Sequence, residues 1–95
     1  MDNQHKKIKG YRDLSQEEID LMNRLKEAGQ VVSVLLELVK VHIEEQRQLA
    51  IDCGNVDEIN RLDETEPEKW LATAKTDMQT GLMAAIRAVA QPETF

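Results

Sequence analysis

Between residues 16 and 52 apolar side chains return every three or four positions. Met22, Leu25, Gly29, Val32, Leu36, Val39, Ile43 and Ala50 fall on one heptad-like line, interrupted by Gln46. That spacing predicts a long helix over 16–52. Its start is marked by Leu14-Ser15-Gln16-Glu17-Glu18-Ile19, where Ser15 can cap, Glu18 stands at the third helical position of a capping box, and Leu14 and Ile19 can form a hydrophobic staple. Gly29 is expected to loosen or kink the helix. Cys53-Gly54-Asn55 ends it, and Asn55 with Glu58 repeats the cap pattern for a short helix over 56–63. A further start follows at Thr65-Glu66-Pro67-Glu68, where Pro67 suits a first turn and the acids complement the positive helix end. The last helix is predicted over 67–90, with Leu71, Ala74, Met78, Leu82, Ala85 and Val89 on one face and Pro92 closing it. No strand-like alternation or internal repeat competes with this reading. The expectation is an all-α single domain over 1–95: a helical hairpin of two long helices, a short helical segment between them, and an extended basic arm over 1–14.

Residues off the seam carry a second message. Val31, Val34, Leu35, Leu38 and Val41 make the middle of the first helix apolar nearly all round. One hairpin partner covers only a stripe of such a helix. The width of the band therefore predicts a homo-oligomer, against the plainer alternative of an intramolecular core. Gly81 and Ala88 on the last helix are small enough to let helices approach closely.

Composition supports both expectations. The chain has 95 residues, 41% hydrophobic and 32% charged, with one Trp, one Tyr and one Phe, so its core must be aliphatic. A monomer of this size buries a modest share of its unfolded surface, which favours self-association. The single Cys53 has no partner for an internal disulfide, which points to a reducing cytoplasm. The opening Met-Asp-Asn-Gln-His-Lys-Lys lacks the apolar stretch of a secretory signal. The most apolar run, Val31 to Ile43, contains Glu37 and Lys40 and falls short of the ~20 residues a membrane span needs.

Charge is divided unevenly. Residues 1–12 hold four basic groups and one acidic, a net of +3, and the rest hold eight basic and seventeen acidic, a net of −9, giving −6 in all. An acidic body repels long nucleic acid, which is bound by neutralising many phosphates at once. A small anion held by a few local cations remains compatible.

Few groups suggest catalysis. His42 and Glu45 are three apart on one helical face, half of a metal site that needs ligands from elsewhere; an ordinary surface or interface histidine is the simpler reading. His5 lies in the arm. Cys53 lacks a flanking cation to activate its thiol and reads as incidental. Phosphate loops, dinucleotide fingerprints and calcium loops are absent. Neither an enzyme nor a cofactor is expected. The one constellation with binding chemistry is Lys6-Lys7-Ile8-Lys9-Gly10-Tyr11-Arg12-Asp13-Leu14, followed by Arg24 and Lys26. It has two readings. Tyr11 can stack on a base while nearby cations meet phosphate, or it can pack on the first helix beneath a solvated basic arm.

The block Lys7-Ile8-Lys9-Gly10-Tyr11-Arg12-Asp13-Leu14-Ser15-Gln16-Glu17-Glu18-Ile19-Asp20-Leu21-Met22-Asn23-Arg24 resembles the start of a phage protein family that defeats CBASS immunity by sequestering cyclic oligonucleotide signals. Glu66-Pro67, Trp70-Leu71-Ala72, Lys75-Thr76-Asp77, Gln79-Thr80-Gly81 and the stretch from Ala88 to Pro92 resemble its close, with a divergent centre from about Ala28 to Asp63. The resemblance implies helical protomers in a hexamer that hold ligands without cleaving them. It implies a cyclic dinucleotide between two protomers, at positions matching Tyr11 and Lys26, with Arg12 beside them. It also implies a cyclic trinucleotide pocket at positions matching Lys69 and Thr76. Here the sequence departs from the family pattern: Lys69 replaces an Arg, and only Arg offers a planar fork to phosphate.

The functional expectation is a sponge in the cytoplasm of the infected bacterial host, lowering a free second messenger by mass action. The runner-up is a small helical adaptor or antitoxin-like protein that docks a partner protein through its apolar band. A metal-dependent helical-bundle enzyme using His42 and Glu45 is a third and weaker reading.

Overall fold

The computed structural model describes residues 13–93, and among these the regular structure is entirely helical. Three helices follow in order: α1 (Gln16–Asp52), α2 (Val56–Thr65) and α3 (Pro67–Ala90). Two long helices flank a short one, the architecture expected from the hydrophobic pattern.

Local hydrogen bonds explain where each helix begins and ends. At the start of α1 the Glu18 N–H donates to Ser15 Oγ at 3.1 Å, and the Ser15 N–H donates to Glu18 Oε1 at 2.8 Å, a reciprocal capping box. The other end of α1 closes as a Schellman motif: Gly54 adopts φ 62°, its N–H donates to the Ile51 carbonyl at 3.1 Å, and the Asn55 N–H donates to the Ala50 carbonyl at 2.9 Å. Asn55 serves two helices, because its Oδ1 accepts the Glu58 N–H at 3.1 Å as the cap of α2. Its own N–H is spent on α1, so Glu58 makes no return bond to it and instead pairs with Arg61.

The short helix α2 runs to Thr65, two residues beyond the predicted 56–63. Thr65, a position that the sequence assigns to the next start, lies within α2, and its Oγ1 donates back to the Arg61 carbonyl at 2.9 Å. Glu66 then takes the left-handed conformation (φ 50°, ψ 54°), and its N–H donates to the Leu62 carbonyl at 3.1 Å. Its carbonyl accepts the Trp70 N–H at 3.2 Å, so one residue ends α2 and begins α3. Gln91, at φ 49°, ends α3 in the same way, with its N–H on the Arg87 carbonyl at 2.7 Å, and like Glu66 it precedes a proline.

The described residues form two compact units: residues 13–30 with 79–93, and residues 31–78. In the first unit α1 runs unbroken through Gly29, the position expected to kink. A Cβ at that position would stand 3.0 Å from Leu82 Cδ1, so the glycine's role here is close packing. Met22, Leu25, Gly29, Leu82, Ala85 and Val89 are half-buried along this contact.

In the second unit Ile43, Ala50 and Leu62 are buried, Leu62 at 2% exposure. All three helices meet at Arg47. Its Nη1 donates to Asp63 Oδ1 at 2.9 Å and its Nη2 to Glu68 Oε1 at 2.9 Å; Nε pairs with Glu68 Oε2, and Nη2 also reaches the Leu62 carbonyl at 3.4 Å. The bidentate fork on Glu68 is the geometry that distinguishes Arg from Lys. Outside this core Val31, Val34, Leu35, Leu38 and Val41 remain 41–62% exposed. The apolar band that one chain was expected to leave uncovered is uncovered here.

Candidate functional site

Of the residues singled out by the sequence, Tyr11 and Arg12 lie outside the described residues. Lys26 stands exposed on α1, in the unit of residues 13–30 and 79–93. Its neighbour one turn along the helix is Gly29, which packs against Leu82, so the segment carrying the ammonium group is anchored on α3.

Lys69 and Thr76 are both exposed on α3, in the other unit. Seven residues separate them, almost two full turns at 3.6 residues each, so they share one helical face. The clamp that seats the start of this helix is Glu68 on Arg47, one residue before Lys69. Arg47 holds the Glu68 carboxyl below its usual range, first through the side-chain hydrogen bond and further through charge attraction.

Lys69 has two partners of its own. Its Nζ lies 3.6 Å from Glu66 Oε2 and 6.0 Å from the centre of the Trp70 ring, the outer limit for a cation over an aromatic face. Trp70 is 63% exposed. A cation and an uncovered indole therefore stand side by side, a pairing suited to a ligand that carries both phosphate and base. Thr73, between Lys69 and Thr76, turns its hydroxyl inward to donate to the Lys69 carbonyl at 3.0 Å.

The remaining candidates do not converge. His42 and Glu45 are exposed on α1, and among the described residues no group of three or more His, Cys, Asp or Glu is arranged to hold a metal. Cys53 is an exposed free thiol beside Gly54. No helix among the described residues is long and apolar enough to cross a membrane.

Two features here escape a reading of the sequence. The Arg47–Asp63–Glu68 cluster joins positions 16 and 21 residues apart, beyond any local pattern. The Glu66–Lys69 pair does have a local signal, opposite charges at i and i+3. That signal was masked because Glu66 reads as one of several acids at a helix start.

The sequence matches known proteins along nearly the whole chain. The family model described as Acb2/Tad1, hairpin domain, matches residues 3–90. Anti-CBASS protein 2 of Pseudomonas phage JBD67 is 42% identical over 106 aligned positions, which cover 98% of this chain and 98% of the relative. With a match that spans the capping box of α1, the Glu66-Pro67 junction and the body of α3 alike, the chain belongs to the Acb2/Tad1 hairpin family of phage anti-CBASS proteins.

Proposed function

We propose that this protein is an anti-CBASS sponge: it binds cyclic dinucleotide second messengers, and cyclic trinucleotides at a second site, and withholds them intact from the host immune effector. The observation that carries the proposal is the near full-length similarity to Anti-CBASS protein 2. In this reading Tyr11 stacks on a base while Lys26 and Arg12 meet phosphate. Lys69 and Thr76 form the second site. No residue is assigned a catalytic role, no cofactor is required, and the protein acts in the cytoplasm of the infected bacterium.

Sequestration works by mass action, so it requires many tight sites. A homo-oligomer supplies them, and the uncovered band of Val31, Val34, Leu35, Leu38 and Val41 supplies a reason to assemble. We assign this band to contact between copies of the chain, in a hexamer. The same band supports a second reading, a helical adaptor that docks a different protein. The two separate on purification: an assembly of one chain type fits the sponge, and a stoichiometric foreign protein fits the adaptor.

Titration calorimetry with a cyclic dinucleotide, followed by denaturation and recovery of the ligand, tests the function. The expected result is saturable binding and an unaltered ligand. Tyr11→Ala should lose about 1–3 kcal/mol per stacked base, and Lys26→Ala should also weaken binding. Wild-type affinity in both variants would remove the dinucleotide site from these residues, and a cleaved ligand would overturn the sponge mechanism.

A further inference from the structure

Lys69 is not presented to solvent as a bare cation. Glu66 Oε2 stands 3.6 Å from its Nζ, and the Trp70 ring centre lies 6.0 Å away. The backbone of Glu66 is fixed on the same turn as Lys69. Glu66 sits at φ 50°, ψ 54° directly before Pro67, a left-handed conformation uncommon for a residue with a side chain and disfavoured before proline. Two hydrogen bonds hold it, from its N–H to the Leu62 carbonyl and from the Trp70 N–H to its carbonyl. Neither uses the side chain, so the carboxylate is free to serve Lys69.

We propose that Glu66 is the internal counter-ion of Lys69 and lowers the affinity of that site: an incoming phosphate competes with the carboxylate for the ammonium. The inference rests on Lys69 belonging to the trinucleotide site. It adds a specificity-determining residue that opposes binding. An Arg has five donors and can serve a carboxylate and a phosphate together, whereas an ammonium this close to Glu66 divides three donors between them. The internal pair therefore weighs more heavily on a chain with Lys at this position.

The test is binding of cyclic tri-adenylate to the full-length protein, followed by calorimetry and by the fluorescence of Trp70, the chain's single tryptophan. Glu66→Gln keeps both main-chain hydrogen bonds and removes the competing charge. It should tighten cyclic tri-adenylate by about two- to fivefold, the range set by one exposed ion pair, and leave cyclic di-adenylate unchanged. Glu64→Gln makes the same change of net charge on exposed α2 and should leave both affinities unchanged. Equal tightening by Glu64→Gln would replace the specific pair with a general charge effect and overturn the proposal. Wild-type binding that Lys69→Ala weakens and Glu66→Gln does not alter would retain the site and overturn the counter-ion role. Absence of binding by both wild type and Glu66→Gln would overturn the trinucleotide site and this inference with it. A thermal midpoint for Glu66→Gln close to that of the wild type confirms that the fold is kept.

Discussion

The two compact units are built from the same long helices yet are held in different ways. Residues 31–78 contain all three buried core residues, Ile43, Ala50 and Leu62, and the three-way clamp of Arg47 on Asp63, Glu68 and the Leu62 carbonyl. Residues 13–30 and 79–93 have no buried hydrophobic residue among those described; their seam is half-covered and draws close at Gly29 and Leu82. The difference is α2. A pair of helices leaves most of each circumference open, and a third segment shields one face. That face carries Ile43 and Ala50, while Val31, Val34, Leu35, Leu38 and Val41 stay exposed. The lesson is that a single chain buries its core residues only in the unit that contains α2, and leaves the apolar band of α1 uncovered.

The largest test of this contrast is Leu62→Ala. Leu62 is enclosed by the three-segment unit, and its truncation should cost about 2–5 kcal/mol in urea unfolding at fixed protein concentration. Leu82→Ala, in the half-covered unit, should cost less. Equal losses would erase the distinction between the two units.

A second test concerns the clamp. Because Arg47 depresses the Glu68 carboxyl below its usual 4.5, chiefly by hydrogen bonding, the folded state binds that proton less readily than the unfolded state does. The resulting stability is fully present above the unfolded value and is lost as pH falls below 4.5 through the folded value. Glu68→Gln should therefore lower the thermal midpoint at pH 7 and change it less near pH 3, an effect smaller than that of Leu62→Ala because the Glu68 carboxylate is exposed and Arg47 only half-buried. A deficit that persists unchanged in acid would mean that the clamp acts through packing alone.

The smallest effect sharpens the picture of the half-covered unit. A Cβ added at Gly81 meets nothing within 4 Å, so Gly81→Ala should raise stability by about 0.8–1 kcal/mol, the difference in helix propensity. At Gly29 the same change brings a Cβ to 3.0 Å from Leu82 Cδ1, and the gain should be reduced or reversed. Loss of stability in Gly81→Ala would mean that the face at Gly81 is not open.

The three helices were legible in local pattern, apart from the end of α2. The Ser15–Glu18 box, the Gly54 stop and the Asn55 cap depend on groups within about five positions of one another, and the seam on α1 on a helical repeat that runs from Met22 to Ala50. The uncovered band was legible for a related reason: the period of a helix fixes how many faces are apolar before any partner is chosen. For the proposed ligand site, the sequence offered the constellation of Tyr11, a basic arm and Lys26, and its assignment to a cyclic dinucleotide rests on resemblance to a family. Only the tertiary structure decided that Gly29 is a point of close packing, that Arg47 joins three helices, and that Glu66 turns left-handed to end one helix and start the next. Each of these depends on which distant residues meet or on which competing local bond wins, and that choice is made by packing, to which neighbouring residues in the chain are blind.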